Sequence, residues 1–105
     1  MKSLKSYDEL LVQMTQHSFF LLYTMSPNCS VCHADFPKIK KIAMKNKLMS
    51  YTVDVSQVPL VMGQFNLFSS PTVILFFKGK EVHRQARIID FEELTYRIEQ
   101  IKESN

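Results

Sequence analysis

Two cysteines, Cys29 and Cys32, stand between an apolar run and a helical pattern, and the chain has no others. The run, Phe19 to Met25, has the length of a strand buried on both faces. Beyond Cys32 the apolar residues recur at helical spacing, so the pair falls where a strand feeds a helix. The first turn of a helix has amide N–H groups without intrahelical partners and carries the positive end of the helix dipole. A thiol held there is stabilised as thiolate, the form that attacks disulfides. A second thiol three residues on lies one turn away and can resolve the mixed disulfide. This spacing in a small chain of alternating strands and helices is a redox signature.

With 105 residues, 46% of them hydrophobic, the chain has enough apolar material for a layered core without structural disulfides. A single domain over residues 1–105 is expected. The formal charge is +3, most of it from Lys38, Lys40, Lys41, Lys45 and Lys47 on one helical stretch. Such lysines read as a solvated helix face, and nothing else argues for nucleic acid. Residues 1–16 carry Asp8 and Glu9 and read as an amphipathic helix, not an export signal. The apolar run is too short to span a bilayer. The expectation is a cytoplasmic monomer in a reducing compartment, with no membrane partner, where a disulfide is more often catalytic than structural.

Along the chain, Ser6 and Glu9 form a capping box before a helix over about 7–16. Ser26-Pro27-Asn28 breaks the strand. A helix then covers about 30–46, with Val31, Phe36, Ile39, Ile42 and Ala43 inward and Pro37 placed to kink it. Tyr51, Val53 and Val55 alternate with polar residues as a strand does. Ser56 can cap a short helix with Pro59 in its first turn. Thr72 to Phe77 is a strand, Lys78-Gly79-Lys80 a hairpin turn, and Glu81 to Ile88 its returning strand. Asp90 and Glu93 form a second capping box, before Phe91, Leu94, Ile98 and Ile101 at helical spacing. The order αβαβαββα demands parallel strands first and an antiparallel edge last.

Ser70-Pro71-Thr72 opens the buried strand with a proline, which is tolerated at a strand's first residue. With Cys29-Ser30-Val31-Cys32 after the apolar strand, Pro37 in the next helix and Gly79 in the hairpin, the chain resembles the thioredoxin family over nearly its whole length. The resemblance implies an α/β fold with a central mixed sheet flanked by helices. The family's first strand has no evident counterpart, so four strands are expected. It also implies a thiol–disulfide oxidoreductase without a bound cofactor, acting on a disulfide-containing protein or small thiol and recycled by a reductase. By resemblance, Pro71 is cis and faces the redox pair, Ser70 hydrogen-bonds the substrate backbone, and Asn28 stands beside them on the substrate-binding surface.

Four departures from the family pattern point to a specialised relative. Asn28 replaces the tryptophan before the nucleophile, and Ser30-Val31 replaces the usual Gly-Pro. Tyr23 stands at the position of the buried aspartate that helps move the resolving thiol's proton. A phenol with an ordinary pKa near 10 is a poor base at neutral pH. Arg87 stands where a substrate-contacting glycine would be, and its side chain restricts backbone approach.

Other readings share these residues. Cys29-Ser-Val-Cys32-His33 also spells the attachment motif for c-type haem, but that chemistry belongs to exported chains. Structural zinc wants four Cys or His ligands, and His17 and His83 are isolated, so no metal site is expected. His33, if charged and close, would favour the thiolate. A binding module using the fold as scaffold, with incidental thiols, is the alternative to an enzyme; the retained cysteine spacing argues against it.

Overall fold

The computed structural model describes residues 1–67 and 69–104. Its elements run β1 (Lys2–Leu4), α1 (Tyr7–Gln16), β2 (Phe19–Met25), α2 (Ser30–Lys45), β3 (Met49–Asp54), α3 (Pro59–Gln64), β4 (Thr72–Phe77), β5 (Lys80–Ala86) and α4 (Phe91–Glu103). They build one sheet in the order β1-β3-β2-β4-β5. β1 and β2 both run parallel to β3, whereas β4 runs antiparallel to β2 and β5. The sheet therefore has five strands, not the four expected. The addition is Lys2–Leu4, paired with Tyr51–Val53, a three-residue edge strand too short to show alternation.

The unbroken apolar run of β2 follows from its central position. Successive side chains point to opposite faces, and both faces are covered. Phe20 and Leu22 enter one core with Leu10 of α1 and Val61 of α3. Leu21 and Tyr23 enter the other with Ile39 of α2 and Leu94 and Ile98 of α4. β4 divides likewise, Ile74 and Phe76 against Val73 and Leu75.

The helix caps are each half of the expected box. Ser6 Oγ accepts from the Glu9 amide at 3.1 Å, and Asp90 Oδ1 accepts from the Glu93 amide at 3.0 Å. The return bonds differ: the Glu9 carboxylate accepts from the Lys5 amide, and the Asp90 amide donates to Gln85 Oε1 at 2.6 Å. α3 is capped by Val58, without a side-chain bond; Ser56 instead donates its hydroxyl to Asp54 Oδ1 at 2.6 Å. Val31, expected inward, is 48% exposed. The hairpin turn is Lys78-Gly79, both at positive φ (51° and 78°), the two-residue arrangement whose twist matches the strands. β5 ends at Ala86, leaving Arg87 and Ile88 outside the ladder. Among the described residues no helix is long and apolar enough to cross a membrane.

Candidate functional site

Register decides where the cysteines lie. Thr24, at the end of β2, pairs with Thr72, at the start of β4. The loop that leaves β2 toward Cys29 therefore adjoins the one that enters β4 through Ser70-Pro71. Met25 pairs with Asp54 and Thr72 with Ala86. Those pairs bring the segments after β3 and β5 to the same edge of the sheet.

Cys29 is the N-cap of α2, and its Sγ accepts the Cys32 amide at 3.1 Å. The Cys29 amide donates back to the Ser26 carbonyl at 3.2 Å, closing the turn that launches the helix. The two thiols are joined as a disulfide, with Cα atoms 5.2 Å apart. Cys29 is partly exposed, while Cys32 is wholly buried at 0% exposure. An amide donor and the helix dipole both favour negative charge on the Cys29 sulfur in the reduced state.

A cleft of about 520 Å³ opens beside the pair. Cys29, Asn28 and Ser70 stand on its walls, with Val55, Met62 and Leu67 supplying apolar surface. Pro71 is buried and does not line it, and the Ser70–Pro71 bond is cis. Ser70 and Asn28 thus share one cleft with the cysteine. His33 does not join them. Its Nε2 lies 3.3 Å from the Pro27 carbonyl, and it lines a separate recess of about 150 Å³ with Ser3 and Asp54.

Tyr23 reaches the pair from beneath. Its hydroxyl donates to the Cys32 carbonyl at 2.8 Å. Burial, and then the Asp35 carboxylate one helical turn beyond Cys32, push the phenol well above its ordinary range. It remains protonated at neutral pH and offers Cys32 no base.

Two further residues hold the Ser70-Pro71 loop. The Thr72 amide donates to Thr24 Oγ1 at 3.0 Å, and Thr72 Oγ1 donates to the Ser69 carbonyl at 2.8 Å. Both threonines are buried. Sequence reasoning misses them, although Thr24 is the one aliphatic hydroxyl in the run Phe19 to Met25. A buried hydroxyl needs a partner, and that is the available signal. Among the described residues no cluster of His, Cys, Asp or Glu could hold a metal ion.

Comparison with known proteins places this arrangement. The family model described as Thioredoxin matches residues 2–100. A curated relative, the thioredoxin-like protein YdfQ of Bacillus subtilis, is 32% identical over 88 residues, which cover 82% of this chain and 78% of that protein. Plasmodium falciparum thioredoxin superposes with a TM-score of 0.86 at 22% identity, covering 95% of this chain and 98% of the other. For Fasciola hepatica thioredoxin the values are 0.83 and 21%, with the same coverage of 95% and 98%. At these identities the structural matches speak for the fold.

Proposed function

The chain belongs to the thioredoxin family, and on that premise we propose that Cys29 is its attacking thiol and Cys32 its resolving thiol. The activity itself, thiol–disulfide exchange through the Cys29–Cys32 pair, goes with the family and the paired cysteines. In the reductive direction the Cys29 thiolate attacks one sulfur of a substrate disulfide, and the other sulfur leaves as a thiol after taking a proton. The Cys32 thiolate then attacks the Cys29 sulfur, closing the internal disulfide and releasing the second substrate thiol. Two electrons pass from the protein to the substrate, and the pair stores them without a cofactor.

One observation carries the division of roles: Cys29 is partly exposed at the helix N-cap, whereas Cys32 is fully buried. Ser70, Asn28 and the Pro71 backbone form the substrate-binding surface in this proposal, supported by the cleft that Ser70 and Asn28 share with Cys29. With Tyr23 in place of a carboxylate, Cys32 loses its proton to water, and resolution quickens as pH rises toward the thiol's own pKa. His33, in the first turn of α2 with its amide donating to the Cys29 carbonyl at 3.3 Å, favours the Cys29 thiolate when its ring is charged. The protein works as a cytoplasmic monomer on disulfide-bearing polypeptides or small thiols, and a reductase returns it to the dithiol.

Brief alkylation of the reduced protein at about pH 6, with peptide mapping, tests the assignment. Label should appear on Cys29 well ahead of Cys32. Preferential labelling of Cys32 would overturn it.

A further inference from the structure

Arg87 occupies a backbone conformation that arginine rarely takes. Its φ is 69°, and the Ile88 amide donates to the Ala86 carbonyl at 2.9 Å. Ala86-Arg87-Ile88 is thus a three-residue turn of the positive-φ kind, which is rare and strained for a residue with a β-carbon. The Arg87 amide fixes the turn against the substrate-binding surface by donating to the Pro71 carbonyl at 2.8 Å. Glycine adopts such a conformation freely. The backbone alone therefore gives no reason for a long cationic side chain, and strain of this kind collects at functional positions.

The side chain is exposed, and among the described residues it makes no hydrogen bond or ion pair. Arg84, on β5, is committed by contrast: it binds the Glu81 carboxylate and the carbonyls of Phe65 and Asn66. Residues 26–30, 55–58, 69–73 and 85–89, which follow β2, β3 and β5 or lead into β4 at the cysteine's end of the sheet, contain one formally charged side chain, Arg87. The carboxylates bordering them are engaged, Asp54 with Ser56 and Asp90 with the Glu93 amide. Ile88, beside Arg87, is 89% exposed, so the turn presents a cation next to open apolar surface.

We infer that Arg87 is a specificity-determining residue, selecting disulfide substrates that carry a carboxylate close to the attacked cysteine. This rests on the reading of Cys29 as the attacking thiol. An acidic side chain on a peptide seated along Ser70 and Pro71 approaches the guanidinium, and a basic one is repelled. Arginine suits this role because its planar fork matches a carboxylate and stays charged at any working pH.

Three matched peptides, dimerised through a cysteine flanked by Asp, Asn or Lys, test the inference. The reduced protein should reduce the Asp peptide about fivefold faster than the Asn peptide at low salt, the scale of one exposed charge pair in water, and the Lys peptide more slowly still. At about 1 M salt the gap should close. Arg87→Gln, which keeps the β-carbon and hence the same backbone strain, should level the rates, and Arg87→Lys should retain much of the preference. An unchanged Asp-to-Lys ratio in Arg87→Gln overturns the inference. So does an equal slowing of all three peptides accompanied by slower Cys29 alkylation with neutral iodoacetamide, since Arg87 would then act on the thiolate. The Asn peptide separates the two proposals: its reduction needs Cys29 alone, so normal turnover there with an unchanged ratio condemns only the Arg87 assignment.

Discussion

Tyr23 is the buried side chain that ties β2 to the first turn of α2. Its hydroxyl donates to the Cys32 carbonyl at 2.8 Å from a fully buried position, and a protonated phenol there is a donor, not a base. Tyr23→Phe removes that bond and should destabilise the fold by about 1–2 kcal/mol in urea titrations at pH 7. The raised phenol supplies a second readout. In the unfolded chain it ionises near pH 10, whereas in the fold it keeps its proton. The unfolded state then binds fewer protons, so Tyr23's contribution is complete below about pH 10 and is lost as pH rises further. Tyr23→Phe should flatten the alkaline loss of stability in part. Tyr51, raised by burial as well, sustains the remainder. A wild-type alkaline profile in the variant would contradict this account. At this scale the Cys29–Cys32 pair is legible through its spacing, and Ser70 and Asn28 only through a resemblance; the structure brings Cys29, Asn28 and Ser70 to one cleft. Thr24 and Thr72 are not legible, because their value lies in a pairing across 48 residues of chain that no local pattern encodes.

Elements are legible where periodicity or turn chemistry is strong. The limits of α1, β2 and β4 agree closely with the sequence reading, since an amphipathic helix and two doubly buried strands each carry a sustained pattern. β1 escapes because three residues cannot display a period; it exists by completing the free edge of β3. Pro59 signals α3 but not its cap, since Ser56 bonds back to Asp54 instead. β5 stops two residues short of the expected Ile88, because Arg87-Ile88 looks like strand in sequence while the Ala86 carbonyl turns the chain away. The short first strand is nevertheless part of the core: Leu4 is 1% exposed and packs with Leu10 and Phe20. Leu4→Ala should lower stability by about 2–4 kcal/mol by denaturant unfolding. A loss too small to measure would mean that β1 is dispensable.

Across the whole molecule, mixed pairing is what assembles the site. Parallel β2 and β3 send their carboxyl ends to one edge, and antiparallel β4 begins at that same edge. Only because β4 reverses direction does Ser70-Pro71 arrive beside the cysteine that β2 delivers. The two cores cover the sheet on both faces, and Cys29 stays partly exposed on the wall of the cleft. On the proposed assignment, this architecture divides the two thiols into one that attacks and one that resolves. Incubating Cys32→Ser and Cys29→Ser separately with a peptide disulfide, and weighing the intact proteins, separates the two roles. Cys32→Ser should accumulate a stable peptide adduct on Cys29, while Cys29→Ser, left with a buried thiol, should gain almost none; an adduct that builds up equally fast on Cys29→Ser would contradict the assignment.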